Sequence, residues 1–185
     1  MMSTEIRQAQ ADVRRIYSGG WGGPAVSALI WLGAALTATL VGTQAGAAVL
    51  FVGGAVLIFP INLALNRLMS GQADLPAGHP MRGLAIQTAA SMAVVLLALW
   101  MLSSEVPGAF FPLAMVAVGA HYFPFAHLYG DPAFIVAGAV QCLAGLLVLI
   151  SATPDSFGAY VMAGLLLLTS ATLFIRHRTR GSTAS

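Results

Sequence analysis

Residues 16–66, IYSGGWGGPAVSALIWLGAALTATLVGTQAGAAVLFVGGAVLIFPINLALN, carry no charged side chain, and Arg15 and Arg67 bound the stretch. About 20 apolar residues suffice for a helix to cross the roughly 30 Å of a bilayer's hydrocarbon. The stretch is therefore long enough for two spans. Val41-Gly42-Thr43-Gln44-Ala45-Gly46 supplies the turn between them, which places the first span near 24–40 and the second near 47–69. Four more uncharged stretches follow at 83–104, 106–130, 132–154 and 156–175. Asp131-Pro132 offers an N-cap acceptor before a first-turn proline, and Pro154-Asp155-Ser156 offers a cap for the last helix. The apolar runs are continuous and lack the alternation of barrel strands. The expected fold is an all-α integral membrane protein, a six-transmembrane-helix bundle.

Composition points the same way. The chain is 58% hydrophobic and 8% charged, far from the roughly 25% charged residues of a soluble domain. All basic residues are arginines, at positions 7, 14, 15, 67, 82, 176, 178 and 180, and each falls on the same side of the expected topology. Glu105 and Asp155 lie on the other. The positive-inside bias then predicts an inner-membrane protein with N and C termini in the cytoplasm. The net charge of +2 suits anionic lipid headgroups, and without a basic stripe interleaved with aromatics no nucleic-acid partner is expected. Cys142 is the single cysteine, so neither an internal disulfide nor a thiolate metal cluster is expected. The apolar run after the charged lead is longer than the h-region of a cleaved signal, which predicts a retained N-terminus.

Residues 1–20 read as a short N-terminal amphipathic helix, with Ile6, Ala9, Val13 and Ile16 at helical spacing and Arg7, Gln8, Gln10, Asp12, Arg14 and Arg15 on the other faces. Such a helix is expected to lie in the headgroup plane. Residues 21–176 form the transmembrane domain and 177–185 a cytoplasmic tail. The 70–80 connection, with Gly71, Pro76, Gly78 and Pro80, is the one loop long enough to be mobile. Small residues at Ala34 and Ala38, at Ala85, Ala89 and Ala93, and at Gly53, Gly54 and Gly138 let helices approach closely. Packing within the chain is their expected use, and a second copy or a partner membrane subunit is left open.

Polar residues inside the spans are the candidate site. Each should face the bundle interior or a wet cavity, because an unpaired polar group in hydrocarbon is costly. Asn62 and Asn66 are one turn apart. His121, Tyr122, His127 and Tyr129 share the fourth span, Gln87 lies in the third and Gln141 in the fifth. Pro60 and Pro124 are expected to kink spans two and four and to free the carbonyls of Val56 and Ala120. A polar pocket in the cytoplasmic half would then use His121, Tyr122, Asn62, Asn66, Gln87 and Gln141, with His121 hydrogen-bonded to another span or to water. His121 and His127, six apart, point about 240° away from each other around a helix, and no carboxylate or thiol completes a site, so no metal and no cofactor are expected.

Gly119-Ala120-His121-Tyr122-Phe123-Pro124-Phe125-Ala126-His127-Leu128-Tyr129 resembles the core of a family of small bacterial multi-span proteins known only as a domain of unknown function. The resembling pattern is Gly-Ala-His-aromatic-x-Pro-aromatic ending in Leu-Tyr, with the Phe59-Pro60 pair similar as well. His127 stands where that family has an aromatic residue. The resemblance implies the multi-span fold and no activity. Three functions stay open: binding or transport of a small molecule, a noncatalytic scaffold or accessory subunit, and an intramembrane enzyme using His121. The six short-looped spans are also similar to the substrate-binding subunit of vitamin-uptake energy-coupling transporters. The absence of an intramembrane carboxylate, a Gly-x-Ser-x-Gly elbow and a His-Glu-x-x-His helix argues against the common membrane hydrolases.

Overall fold

The computed structural model describes residues 2–151 and 153–182. Among them the fold is all helical: α1 Met2–Ile16, α2 Gly22–Leu40, α3 Thr43–Ser70, α4 Arg82–Leu102, α5 Phe110–Tyr129, α6 Ala133–Leu149 and α7 Phe157–Ser182. Five helices, α2 to α5 and α7, are long and apolar enough to cross a membrane, and α6 is a shorter apolar helix of 17 residues. At 1.5 Å per residue α6 is about 25 Å long, near the lower limit for a span. The apolar helices are those of a multi-pass membrane protein.

The expected turn at 41–46 is shorter than the sequence suggests. Gly42, at φ +135°, carries the reversal alone because only glycine adopts that backbone without strain, and α3 begins at Thr43. Short connections force successive helices to run up and down. Thr43 and Asp155 hydrogen-bond at one end of the bundle, where Ser103 also donates to Gln44. The opposite end collects α1, the start of α2, the end of α3, the start of α4, the end of α5 and the end of α7. All eight arginines belong to this α1 end, and Glu105 and Asp155 to the other.

Close helix approaches run through glycines. A Cβ on Gly138 would lie 2.6 Å from the Gly119 carbonyl oxygen, and one on Gly119 would lie 2.7 Å from the Cys142 nitrogen, so α5 and α6 touch backbone to backbone. Gly46 does the same against Ala34 and Ala38 between α2 and α3. The Ala85, Ala89 and Ala93 stripe differs, since Ala89 is exposed.

Of the stripe expected to rest on lipid, Ala9, Val13 and Ile16 are buried in the protein core and Ile6 is exposed. The amphipathic helix thus caps the bundle. The 70–80 connection is tethered beneath it, with Tyr17 donating to Asp74 at 2.5 Å, Leu75 N–H donating to the same carboxylate, and Arg82 pairing with it. Burial and the bond to Asp74 raise the Tyr17 hydroxyl well above its ordinary pKa.

Candidate functional site

The two prolines meet different local solutions. Pro60 follows a wide π segment, Val52–Leu57, in which Ile58 N–H bonds back to the Gly53 carbonyl. A proline ring clashes with the carbonyl four residues earlier, and the extra residue per turn moves that carbonyl away. Pro124 lies inside α5, which runs as one helix through Tyr122–Ala126 with no wide turn before the proline. The Pro60 segment packs chiefly on α2, and α5 chiefly on α6 and α4.

The six polar residues expected to converge are dispersed. Asn62 donates to the Ile58 carbonyl of its own helix at 2.8 Å, with its Oδ1 facing the start of α2. Asn66 donates to the Ala73 carbonyl at 3.3 Å and so helps to close the loop below it. Gln87 is exposed on α4. His121 is partly exposed, packs edge-on against Phe125 at 4.7 Å, and makes no hydrogen bond to another span among the described residues. His127 is exposed, and its carbonyl accepts from Gln10 at 2.6 Å. Among the described residues Tyr122 and Gln141 are neighbours, the hydroxyl lying beside the amide in a packed region next to Phe134 and Phe125.

Gln141 is the distinctive one. It is 0% exposed, donates from Nε2 to Thr169 Oγ1 at 3.3 Å, and its Oε1 is left without a hydrogen bond. Thr169 in turn donates to the Leu165 carbonyl, so its proton cannot serve Gln141. Beside this pair a groove of about 440 Å³ runs between α6 and α7, walled by Val140, Leu165 and Leu168 and reaching Thr172 and Arg176 at the α1 end. Its volume falls within the roughly 300–1,000 Å³ of small-molecule sites. Among the described residues no cluster of metal-ligating side chains occurs.

The groove mouth is electrostatically organised by Asp131, which the sequence presents only as a helix cap. It does cap, accepting the Ala133 N–H at 3.0 Å. It is also 4% exposed and holds Arg176 through Nε and Nη2, at 3.2 and 2.9 Å, and Arg180 at 2.9 Å. Burial alone would raise its pKa, but the Arg176 bond, the Ala133 N–H and the two arginine charges outweigh burial and hold the carboxyl below its ordinary value. Arg14 reaches in from α1 to the Tyr129 carbonyl. Burial and the Arg180 charge lower its pKa, against the attraction of Asp131. The sequence signals Asp131 through its place before the Pro132 that opens α6, at the end of the bundle where the arginines gather.

The chain belongs to a family of unknown function, DUF7010, whose profile matches residues 6–176. No curated protein and no solved structure matches it.

Proposed function

We propose that this member of the DUF7010 family is a multi-pass protein of the bacterial inner membrane, with both termini in the cytoplasm, that binds a small molecule in the groove between α6 and α7. The orientation is supported by the eight arginines at the α1 end, since arginine-rich loops stay on the cytoplasmic side. The binding reading rests on one observation: a preformed groove of small-molecule volume between α6 and α7, lined by the buried Gln141–Thr169 pair and reaching Arg176. The ligand is held laterally, among the acyl chains, and not in the polar pocket of spans two and four.

A second reading, a noncatalytic scaffold or accessory subunit, is favoured by α3 and α4, which bury less of their surface than the other long helices and leave apolar faces for a partner or a second copy. No chemical step follows from His121, whose neighbour is the Phe125 ring and which has no polar side-chain partner among the described residues.

Native mass spectrometry of protein extracted in mild detergent tests the binding reading. A copurifying mass is expected, and Val140→Trp, which fills the groove from an exposed wall position, should remove it without unfolding the protein. Retention of the same mass in that variant refutes the groove as its site. For orientation, single cysteines at Ser104 and Asp155 in a Cys142→Ala background should label from the periplasm, and one at Ala73 only after permeabilisation. The reverse pattern refutes it.

A further inference from the structure

We infer that the occupant of the groove is an anionic glycerophospholipid of the leaflet on the α1 side, with its phosphate on Arg176 and one acyl chain between α6 and α7. The inference rests on the groove-binding reading and names the class of its ligand. Charge complementarity comes first. Arg14, Arg176 and Arg180 gather around Asp131, so guanidinium groups concentrate at the mouth. Arg176 engages Asp131 through Nε and Nη2, and a guanidinium has five N–H donors. The two Nη1 protons remain to meet a phosphate oxygen, and Arg176 itself lines the groove.

Length comes second. Gln141 lies eight residues inside the start of α6, which is about 12 Å at 1.5 Å per residue. One leaflet supplies about 15 Å, half of the hydrocarbon thickness. The groove therefore begins at headgroup level and ends near the midplane, as a single chain of that leaflet does. Its walls are predominantly apolar over this length, and Thr172 satisfies its hydroxyl on its own helix at the Leu168 carbonyl. A small polar solute would find few donors or acceptors there, whereas an acyl chain needs none.

The experiment is a native mass spectrometry titration of the full chain with palmitoyl-oleoyl phosphatidylglycerol and with the phosphatidylcholine of the same chains. One phosphatidylglycerol should be held roughly tenfold more tightly than phosphatidylcholine, the ratio expected for one charge-assisted bond in a partly exposed site. Arg176→Gln should cut that preference to about threefold or less. Should Arg176→Gln fail to fold, Arg176→Lys keeps the charge, loses the planar fork and is expected to keep only part of the preference. Asp131→Asn, which removes the competing carboxylate, should strengthen phosphatidylglycerol binding. Val140→Trp should abolish the tight site for both lipids. Equal affinity of the wild type for the two lipids overturns the headgroup assignment, and if Val140→Trp still abolishes binding the groove reading stands. Undiminished phosphatidylglycerol binding in Val140→Trp overturns both. Displacement of the bound mass by inorganic phosphate alone overturns the lipid as occupant.

Discussion

Replacing Gly138 by alanine should destabilise the bundle, and the same replacement at Gly164 should not. The Cβ of an alanine at 138 would sit 2.6 Å from the Gly119 carbonyl oxygen and 3.1 Å from Tyr122 Cβ and Phe123 Cε1, where real Cβ contacts essentially never fall below 3.0 Å. The obstructing atom is backbone, so no side-chain rotation relieves it. Either α5 and α6 separate along their length or the helix distorts, and overpacking of this kind costs about 1–3 kcal/mol. Alanine recovers up to about 1 kcal/mol of helix propensity over glycine, which leaves a net loss on the order of 1 kcal/mol, a few degrees in Tm. Nothing lies within 4 Å of a Cβ at Gly164, so there only the propensity gain remains and Tm should hold or rise. The assay is fluorescence-detected size-exclusion chromatography after heating in detergent. Gly119→Ala combined with Gly138→Ala should cost less than the two singles together, because helices already displaced by the first no longer resist the second. A Gly138→Ala protein as stable as Gly164→Ala would refute the close approach of α5 and α6.

Two further outcomes follow from the α1 end. Ile16→Ala should cost about 2 kcal/mol or more, the penalty of a core truncation, since Ile16 is 1% exposed; a helix resting on lipid would show almost no change in the same thermal assay. Asp131, whose pKa is held down in the folded chain, contributes stability that is complete above the unfolded carboxylate value of about 3.9 and is lost as pH falls from there through the lower folded value. Tm against pH should show this acid limb in the wild type, and Asp131→Asn should flatten it. An unchanged limb in the variant would assign it to other carboxylates.

The class of fold is written in residues 16–66 and in the four later uncharged stretches, because crossing hydrocarbon is a demand on length and charge that each segment meets by itself. The gathering of the arginines at one end is legible for the same reason, being a count along the chain. Local backbone chemistry is partly legible: Asp131 caps α6 as its Asp-Pro sequence predicts. Pro60 and Pro124 look alike in sequence and differ in structure because a wide turn through Gly53 and Gly54 precedes only the first.

What tertiary structure alone decided is pairing. Periodicity identifies the apolar stripe of α1 but not whether lipid or protein covers it, and the answer depends on α3 and α5, which pack against it from far along the chain. The polar residues in the spans are countable from sequence, yet Asn62 and Asn66 satisfy themselves locally, His121 packs on Phe125, and Gln141 meets Thr169 across a helix interface. Asp131 joins Arg176 and Arg180 across the same interface. Which of several equivalent donors an acceptor meets depends on helix rotation and close approach, and those are set by the summed packing of glycines and core side chains.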